Sequence, residues 1–343
     1  GNMPALDNHS PIDAGRWPKR RVGRTSAMVS VLGLGTAPLG GLYQASSDAA
    51  AQATVDRARA LGVNYFDTAP QYGQGLAEGR LGRALRHVAI ADVVVSTKVG
   101  RVLEPAARPV QIDLWPEALQ FDARYDTTTA GIRRSVTDSL ERTGRSSVDI
   151  LLLHDPDAYA AGPDELKNTI AEAYMALSTL RADGMVKAIG LGVNSPEPCQ
   201  MALDLGQWDC MMLAGTYSVL QQNDGGLLDR CHSLAVSVLV AGPFMSGALA
   251  GGSYWKYGSI PASIAARIAR LHEICDRHGV PIEALALQFP LAHPAVAAVV
   301  TGMRSPDEVS QNVAHLNRLI PADCWTEISA DGFIPAQSLG GDH

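Results

Sequence analysis

The sequence predicts a (β/α)8 barrel of the TIM type, eight parallel strands closed into a cylinder and ringed by helices. Three observations predict it. Short apolar runs alternate with helical stretches eight times along 343 residues, the order that gives a parallel sheet covered by helices. The strand runs are almost continuously apolar, as strands buried on both faces are. The two longest connections, 100–127 and 242–261, both follow strands, and a barrel places such loops on the face where ligands bind. A doubly wound open sheet would need a Gly-x-Gly-x-x-Gly turn between the first strand and the first helix, and the sequence has none there.

The first unit is the glycine-rich strand 29–36 with an alanine-rich helix at 47–61. Strand 64–66 then leads to helix 77–86, strand 93–96 to helix 128–143, strand 149–153 to helix 165–183 and strand 186–191 to helix 197–206. Strands 210–214, 237–240 and 297–300 follow, with helices 227–233, 264–278 and 307–317. Residues 1–19 read as a loosely ordered arm, Gly1-Asn2 ahead of Met3 as a tag remnant, and 20–343 as one barrel domain.

Composition narrows the partners. Hydrophobic residues make up 46% and charged residues 18% of the chain, and the formal net charge is −7; that describes a folded globular protein with no basic face for a phosphate backbone. Nucleic acid is therefore not expected as a partner. No apolar run is long enough to span a bilayer and the start carries no apolar signal segment, so neither a membrane nor an export route is expected and the cytoplasm is the expected location. Cys199, Cys210, Cys231, Cys275 and Cys324 are odd in number, far apart and without a Cys-x-x-Cys pair. They read as reduced thiols, and the scattered histidines give no metal-ligand spacing, so no catalytic metal is expected.

Chemistry gathers at the strand ends. Asp67 closes the run Val63-Asn64-Tyr65-Phe66, and Tyr72 stands five residues on, between a proline and a glycine. Lys98 ends the third strand and His154 the fourth. Neighbouring parallel strands lie about 5 Å apart, so these four side chains can share one pocket. Singly, each has an ordinary structural reading; together they read as an acid/base site. A phenol with a pKa of about 10 needs a shift of about three units, or roughly 4 kcal/mol, to exchange a proton near neutrality. An ammonium about 4 Å away supplies about that much at an effective dielectric of about 20. Asp67 would keep Lys98 charged, and His154 would hydrogen-bond the reacting oxygen. Such a site holds no nucleophile and calls for an external electron donor or acceptor.

With those residues in view the chain resembles the aldo-keto reductase family over about residues 20–320. The motifs that carry the resemblance are Gly62 through Ala69 with Tyr72-Gly73, Ser96-Thr97-Lys98, Leu151-Leu152-Leu153-His154, Ile189-Gly190 and Gly302 through Asn312. The resemblance implies a catalytic tetrad of Asp67, Tyr72, Lys98 and His154, and an extended nicotinamide nucleotide across the top of the barrel. It implies that Asn194 holds the carboxamide, although many members carry a Ser-Asn pair one step earlier, and that Tyr217 is the ring on which the nicotinamide stacks, unless it is a core tyrosine. The glutamine that many members place on the sixth strand is missing from Met211-Met212-Leu213-Ala214. By the same resemblance Gly242, Pro243, Phe244, Ser246, Gly247 and Leu249 belong to the pyrophosphate clasp, and Gly302, Arg304, Glu308, Gln311 and Asn312 to the adenosine end. Glu308 falls where NADPH-preferring members often carry an arginine, so NAD is expected to be preferred, with NADP possible and Arg304 the counter-argument.

His154-Asp155-Pro156-Asp157 and Gly190-x-Gly192-x-Asn194 resemble the branch of the family that oxidises aldoses such as L-fucose, or pyridoxal, with NAD. The implied reaction is oxidation of a cyclic hemiacetal hydroxyl to a lactone, with Tyr72 as general base. Trp115, Tyr125 and Trp255, on the long loops, are candidate pocket walls for a sugar or pyridine ring, or else pack within those loops. A general NADPH-dependent reductase of aldehydes and ketones is the alternative, and a nucleotide-sensing partner subunit a non-enzymatic one. A monomer or homodimer is expected.

Overall fold

The computed structural model describes residues 17–245, 247–250, 254–255 and 258–336, with the backbone alone at Ala250, Tyr254, Trp255 and Gly258. Eight parallel strands close the barrel in chain order: β1 (Leu32–Gly35), β2 (Tyr65–Asp67), β3 (Val94–Val99), β4 (Ile150–His154), β5 (Ala188–Val193), β6 (Cys210–Ala214), β7 (Ser237–Ala241) and β8 (Val296–Gly302), which pairs back onto β1. The first strand departs most from expectation: Val29 and Ser30 leave the predicted run 29–36 and, with Met28, pair antiparallel with Lys19–Arg21. This hairpin packs Val22, Ala27 and Val29 into the core that also holds Tyr65, Val94, Ile150 and Leu239, so the bottom of the barrel is plugged by the chain that leads into it.

Side-chain alternation sorts the strands into two cores. Ile150 and Leu152 belong to the barrel interior, whereas Leu151 and Leu153 face the helices. The helices around the outside are α1 (Asp48–Ala60), α2 (Leu76–Ala84), α3 (Thr129–Thr143), α4 (Pro163–Ala182), α5 (Glu197–Leu205), α6 (Leu227–Ser233), α7 (Ala262–Arg277), α8 (Ile282–Gln288), α9 (Pro306–Asn317) and α10 (Ala322–Ala330). Their starts follow the local chemistry: Ser47, Thr128 and Ser305 each accept a hydrogen bond from the backbone N–H three residues on. The buried positions of α1, Ala51, Thr54, Val55 and Ala58, carry the spacing of one helical face.

The seventh helix is a correction. The stretch predicted at 264–278 is α7, but its buried face, Ile268, Leu271, Ile274 and Cys275, belongs to a separate cluster with Leu220, Phe289 and Trp325. The helix beside α9 in the ring is the shorter α8, whose Leu287 reaches the main core. The long connection after β3 is likewise ordered, as an antiparallel hairpin of Arg101–Pro105 with Phe121–Tyr125. Gly100, at φ +117°, turns the chain into it, and a side chain there would strike the Tyr125 ring. No helix among the described residues is long and apolar enough to cross a membrane.

Candidate active site

Alternation fixes which strand residues face inward at the top of the barrel. Counting by twos from Tyr65, Val94 and Ile150, all interior, reaches Asp67, Lys98 and His154. The same step from Ala188, Cys210, Leu239 and Ala298 reaches Gly192, Ala214, Ala241 and Gly302. All seven line one cavity of about 270 Å³, together with Tyr72, Trp115, Asp155, Asn194 and Gly242 among others. Three of the seven, Asp67, Lys98 and His154, carry ionisable side chains and make the charged half of this layer; the other four carry almost no side chain.

Lys98, 3% exposed, is the hub of the charged half. Its Nζ donates to Asp67 Oδ1 at 3.0 Å and Oδ2 at 2.9 Å, to the Thr68 carbonyl at 2.9 Å and to Tyr72 Oη at 3.2 Å. Burial alone would push the ammonium down; the Asp67 carboxylate and the Tyr72 phenol outweigh it and hold Lys98 above its usual value. Ser96 donates to Asp67 Oδ1 at 2.6 Å, and its Oγ also bonds the Tyr65 hydroxyl at 2.8 Å. Gly192 makes room for the lysine stem, since a Cβ there would lie 3.3 Å from Lys98 Cε.

The hairpin after β3 holds the other two groups in place. Leu119 N–H donates to the Gly73 carbonyl and Gln74 Nε2 to the Phe121 carbonyl, which braces the turn that carries Tyr72. The Trp115 ring stacks on Tyr72 with centroids 5.7 Å apart. Arg101 Nη1 lies 2.6 Å from His154 Nδ1. Burial, Arg101 and Lys98 together push the imidazole well below its usual value, so it is neutral. Tyr125 donates to the His154 carbonyl at 3.2 Å and stacks on Tyr159 at 4.0 Å. Tyr125 thus buttresses His154 and does not line the cavity, which is the packing alternative that the sequence left open.

The expected cofactor residues divide. Asn194 lines the cavity, with Nδ2 3.4 Å from Asp155 Oδ1; Gly242 and Gly302 line it too. Pro243 is buried beside Gly242, Phe244 packs between the two outer cores, Leu249 is fully buried, and Gly247 is described at φ +90°. Ser246 and the Trp255 side chain lie outside the described residues. Tyr217 is a correction toward the packing alternative: its ring stacks on Phe289 at 5.4 Å, meets His293 edge-on and lines a different cavity. At the start of α9, Arg304 donates to the carbonyls of Pro38, Leu42 and Gln44. Glu308 accepts from the Arg304 N–H at 2.6 Å while its own N–H donates to Ser305 Oγ, the N-cap of α9. Gln311 is exposed and Asn312 buried on the same helix.

A flat ring fits the small half. Gly35, Gly192, Ala214, Ala241 and Gly302 leave a slot facing Lys98 and Tyr72, with the Asn194 amide exposed beside it, which suits a nicotinamide. Sequence reasoning missed Arg101 and Asp155, both at this site; the Arg after Lys98-Val99-Gly100 was the available signal.

Comparison with known proteins agrees. Residues 31–330 match the model of the aldo/keto reductase family. The chain is 39% identical over 335 residues to pyridoxal 4-dehydrogenase of Microbacterium luteolum, covering 92% of this chain and 98% of that one. It is 37% identical to D-threo-aldose 1-dehydrogenase of a Pseudomonas species, over 90% of this chain and 95% of the other. An aldo-keto reductase of Bacillus halodurans, solved in its holo form, superposes with a TM-score of 0.72 at 27% identity, covering 91% and 95% of the two chains. The chain belongs to the aldo-keto reductase family, and it is an NAD(P)-dependent oxidoreductase acting on CH–OH groups.

Proposed function

We propose that the protein oxidises a cyclic hemiacetal hydroxyl, that of an aldose such as L-fucose or that of pyridoxal, to the lactone, with NAD as the preferred acceptor. The observation that carries the reading is Lys98 Nζ, held by Asp67 at 2.9 Å and donating to Tyr72 Oη at 3.2 Å inside the cavity. In this reading Tyr72 takes the hydroxyl proton on Oη, and the buried ammonium stabilises the phenolate that accepts it. His154 donates to the same oxygen and orients it. A nicotinamide nucleotide, when bound, supplies the hydride acceptor. The Trp115 ring offers a flat wall, and Asp155, held by three contacts of 3.4 Å, offers an acceptor for further substrate hydroxyls. At about 270 Å³ the cavity lies just below the roughly 300–1,000 Å³ of ligand pockets, and a nicotinamide ring would take part of it, so the room left beside Tyr72 suits a small substrate. The names of the two relatives above support the same substrate class.

The NAD preference rests on α9. Three loop carbonyls already occupy Arg304, and the Glu308 carboxylate beside it would repel a 2′-phosphate. The cytoplasm, and a monomer or homodimer, remain the accompanying proposals. The test is NADH or NADPH absorbance with L-fucose, other aldoses and pyridoxal, alongside Tyr72→Phe. Reduction of NAD with one of these substrates, lost by roughly 10²–10⁴-fold in the variant, is expected. Silence with NAD together with NADPH consumption on simple aldehydes would overturn it in favour of a general reductase.

A further inference from the structure

We propose that Arg101 is a positioning residue that decides where His154 carries its proton: the guanidinium commits Nδ1 to accepting, so the ring holds its one proton on Nε2 and stays uncharged. A guanidinium has donors only and does not give up its proton. Its Nη1, 2.6 Å from Nδ1, therefore requires a lone pair there, and a neutral imidazole with a bare Nδ1 is protonated at Nε2. Nε2 is the nitrogen 3.4 Å from the cavity-lining Asp155 carboxylate.

Arg101 is itself built in. It is 6% exposed, donates from Nε to Tyr159 Oη at 3.1 Å and reaches Asp155 Oδ2 from Nη2 at 3.4 Å. Its guanidinium lies over the Tyr159 ring, 5.2 Å from the centroid, and Tyr125 stacks on Tyr159 in turn. The groups that face His154 are Arg101 from the hairpin, Lys98 from β3, the edge-on Tyr72 ring and Asp155 from its own loop. The two cations and burial oppose protonation of the imidazole, and the Asp155 carboxylate favours it. With Arg101 in place the balance falls on the neutral ring.

The functional consequence rests on the reading of His154 above as the donor to the reacting oxygen. A fixed Nε2–H can donate there at every working pH, while proton transfer is left to Tyr72. Without Arg101 the ring is free to flip its proton to Nδ1 or to become cationic, and in the first state it turns a lone pair toward the substrate oxygen.

The experiment is nitrogen-15 NMR of the histidine side chains as a function of pH, with His154→Gln to assign the resonances. It is run on the full chain and on two variants, Arg101→Met and Arg101→Gln, whose fold is checked by circular dichroism. In the parent protein His154 is expected as the Nε2–H form with no titration through pH 5. In Arg101→Met it should titrate near the ordinary histidine value with mixed tautomers. The kcat should fall roughly ten- to a hundredfold with KM little changed, and its pH profile should gain a new acid limb. Arg101→Gln can still donate to Nδ1 without a charge, so it should keep the tautomer, regain part of kcat and still titrate. A folded Arg101→Met protein, or Arg101→Gln if Met does not fold, with His154 resonances and titration like the parent's overturns the proposal. Full kcat in His154→Phe, which has no donor, would instead overturn the reading of His154 as donor, and would leave the NMR result standing.

Discussion

The two halves of the barrel's top layer do opposite things with the same backbone. On β2, β3 and β4 the inward positions hold Asp67, Lys98 and His154, each bonded to partners named above. On β5 to β8 and β1 the equivalent positions hold Gly192, Ala214, Ala241, Gly302 and Gly35. In the proposed function, chemistry is carried by what one half contains and recognition by what the other half omits. Charges in the first half are held at fixed distances by protein atoms alone, which is the preorganisation an acid/base site needs. The second half offers shape, and shape is filled from outside.

The largest expected effect breaks the charged half. Lys98→Met should lower kcat by roughly 10²–10⁴-fold, and the buried Asp67 left without its cation should cost about 3–5 kcal/mol of stability. Steady-state kinetics and denaturant melts read the two losses separately. Adding Asp67→Asn should restore much of the stability and none of the activity; recovery of both would show that the ion pair is only a strut. The small half is broken by filling it. Ala241→Leu should weaken nucleotide binding by roughly 1–3 kcal/mol, the scale of overpacking, without a change in melting. Titration of the nucleotide by fluorescence checks this, and unaltered affinity would place the ring elsewhere.

A pH series sharpens the contrast, because the charged half holds a histidine and the small half has nothing to titrate. His154 is pushed well below its usual value in the folded protein. Below about pH 6.5 the unfolded chain therefore binds a proton that the native site refuses, and stability falls with pH by at most about 1.4 kcal/mol per unit. It is fully present above about pH 6.5. Unfolding midpoints of the parent and His154→Phe proteins between pH 7 and 5 should converge as the pH drops; parallel lines would mean that His154 is protonated when folded. The smallest effect lies at α9, where Ser305→Ala should cost about 1 kcal/mol in a denaturant melt through the lost cap.

The two halves were also unequally legible. Asp67, Lys98 and His154 stood out because a charge at the end of an apolar strand is costly and calls for a reason, and period-two alternation carries each of them inward. The slot opposite is made of glycine and alanine, which look alike in a sequence whether they make room for a ligand or for a neighbouring strand. Arg101 was hidden because it follows Gly100, whose left-handed turn takes it out of the strand's alternation and back over His154. Tyr217 was placed by resemblance alone, and its stacking on Phe289 depends on a contact 72 residues away. Arg304 was visible as a charge, but its partners, the carbonyls of the β1–α1 loop, lie more than 250 residues earlier in the chain. The displaced seventh helix has the same cause: α7 and α8 both carry apolar faces, and only the tertiary packing decides which one joins the ring.

Those carbonyl contacts bear on how the protein comes to be made. Leu42, whose carbonyl Arg304 grips, lines the cavity, and β8 pairs with β1 along the same seam. Arg20 reaches the Leu291 and Val296 carbonyls across it, and Trp17 reaches Asn317. Every bond in this seam joins residues more than 250 positions apart. Loop closure over such separations is slow, and a growing chain has no β8 to offer. Until β8 is available, β1 keeps an unpaired edge and the wall of the cavity beside Leu42 has nothing to hold its shape, so competence for binding waits on this one closure.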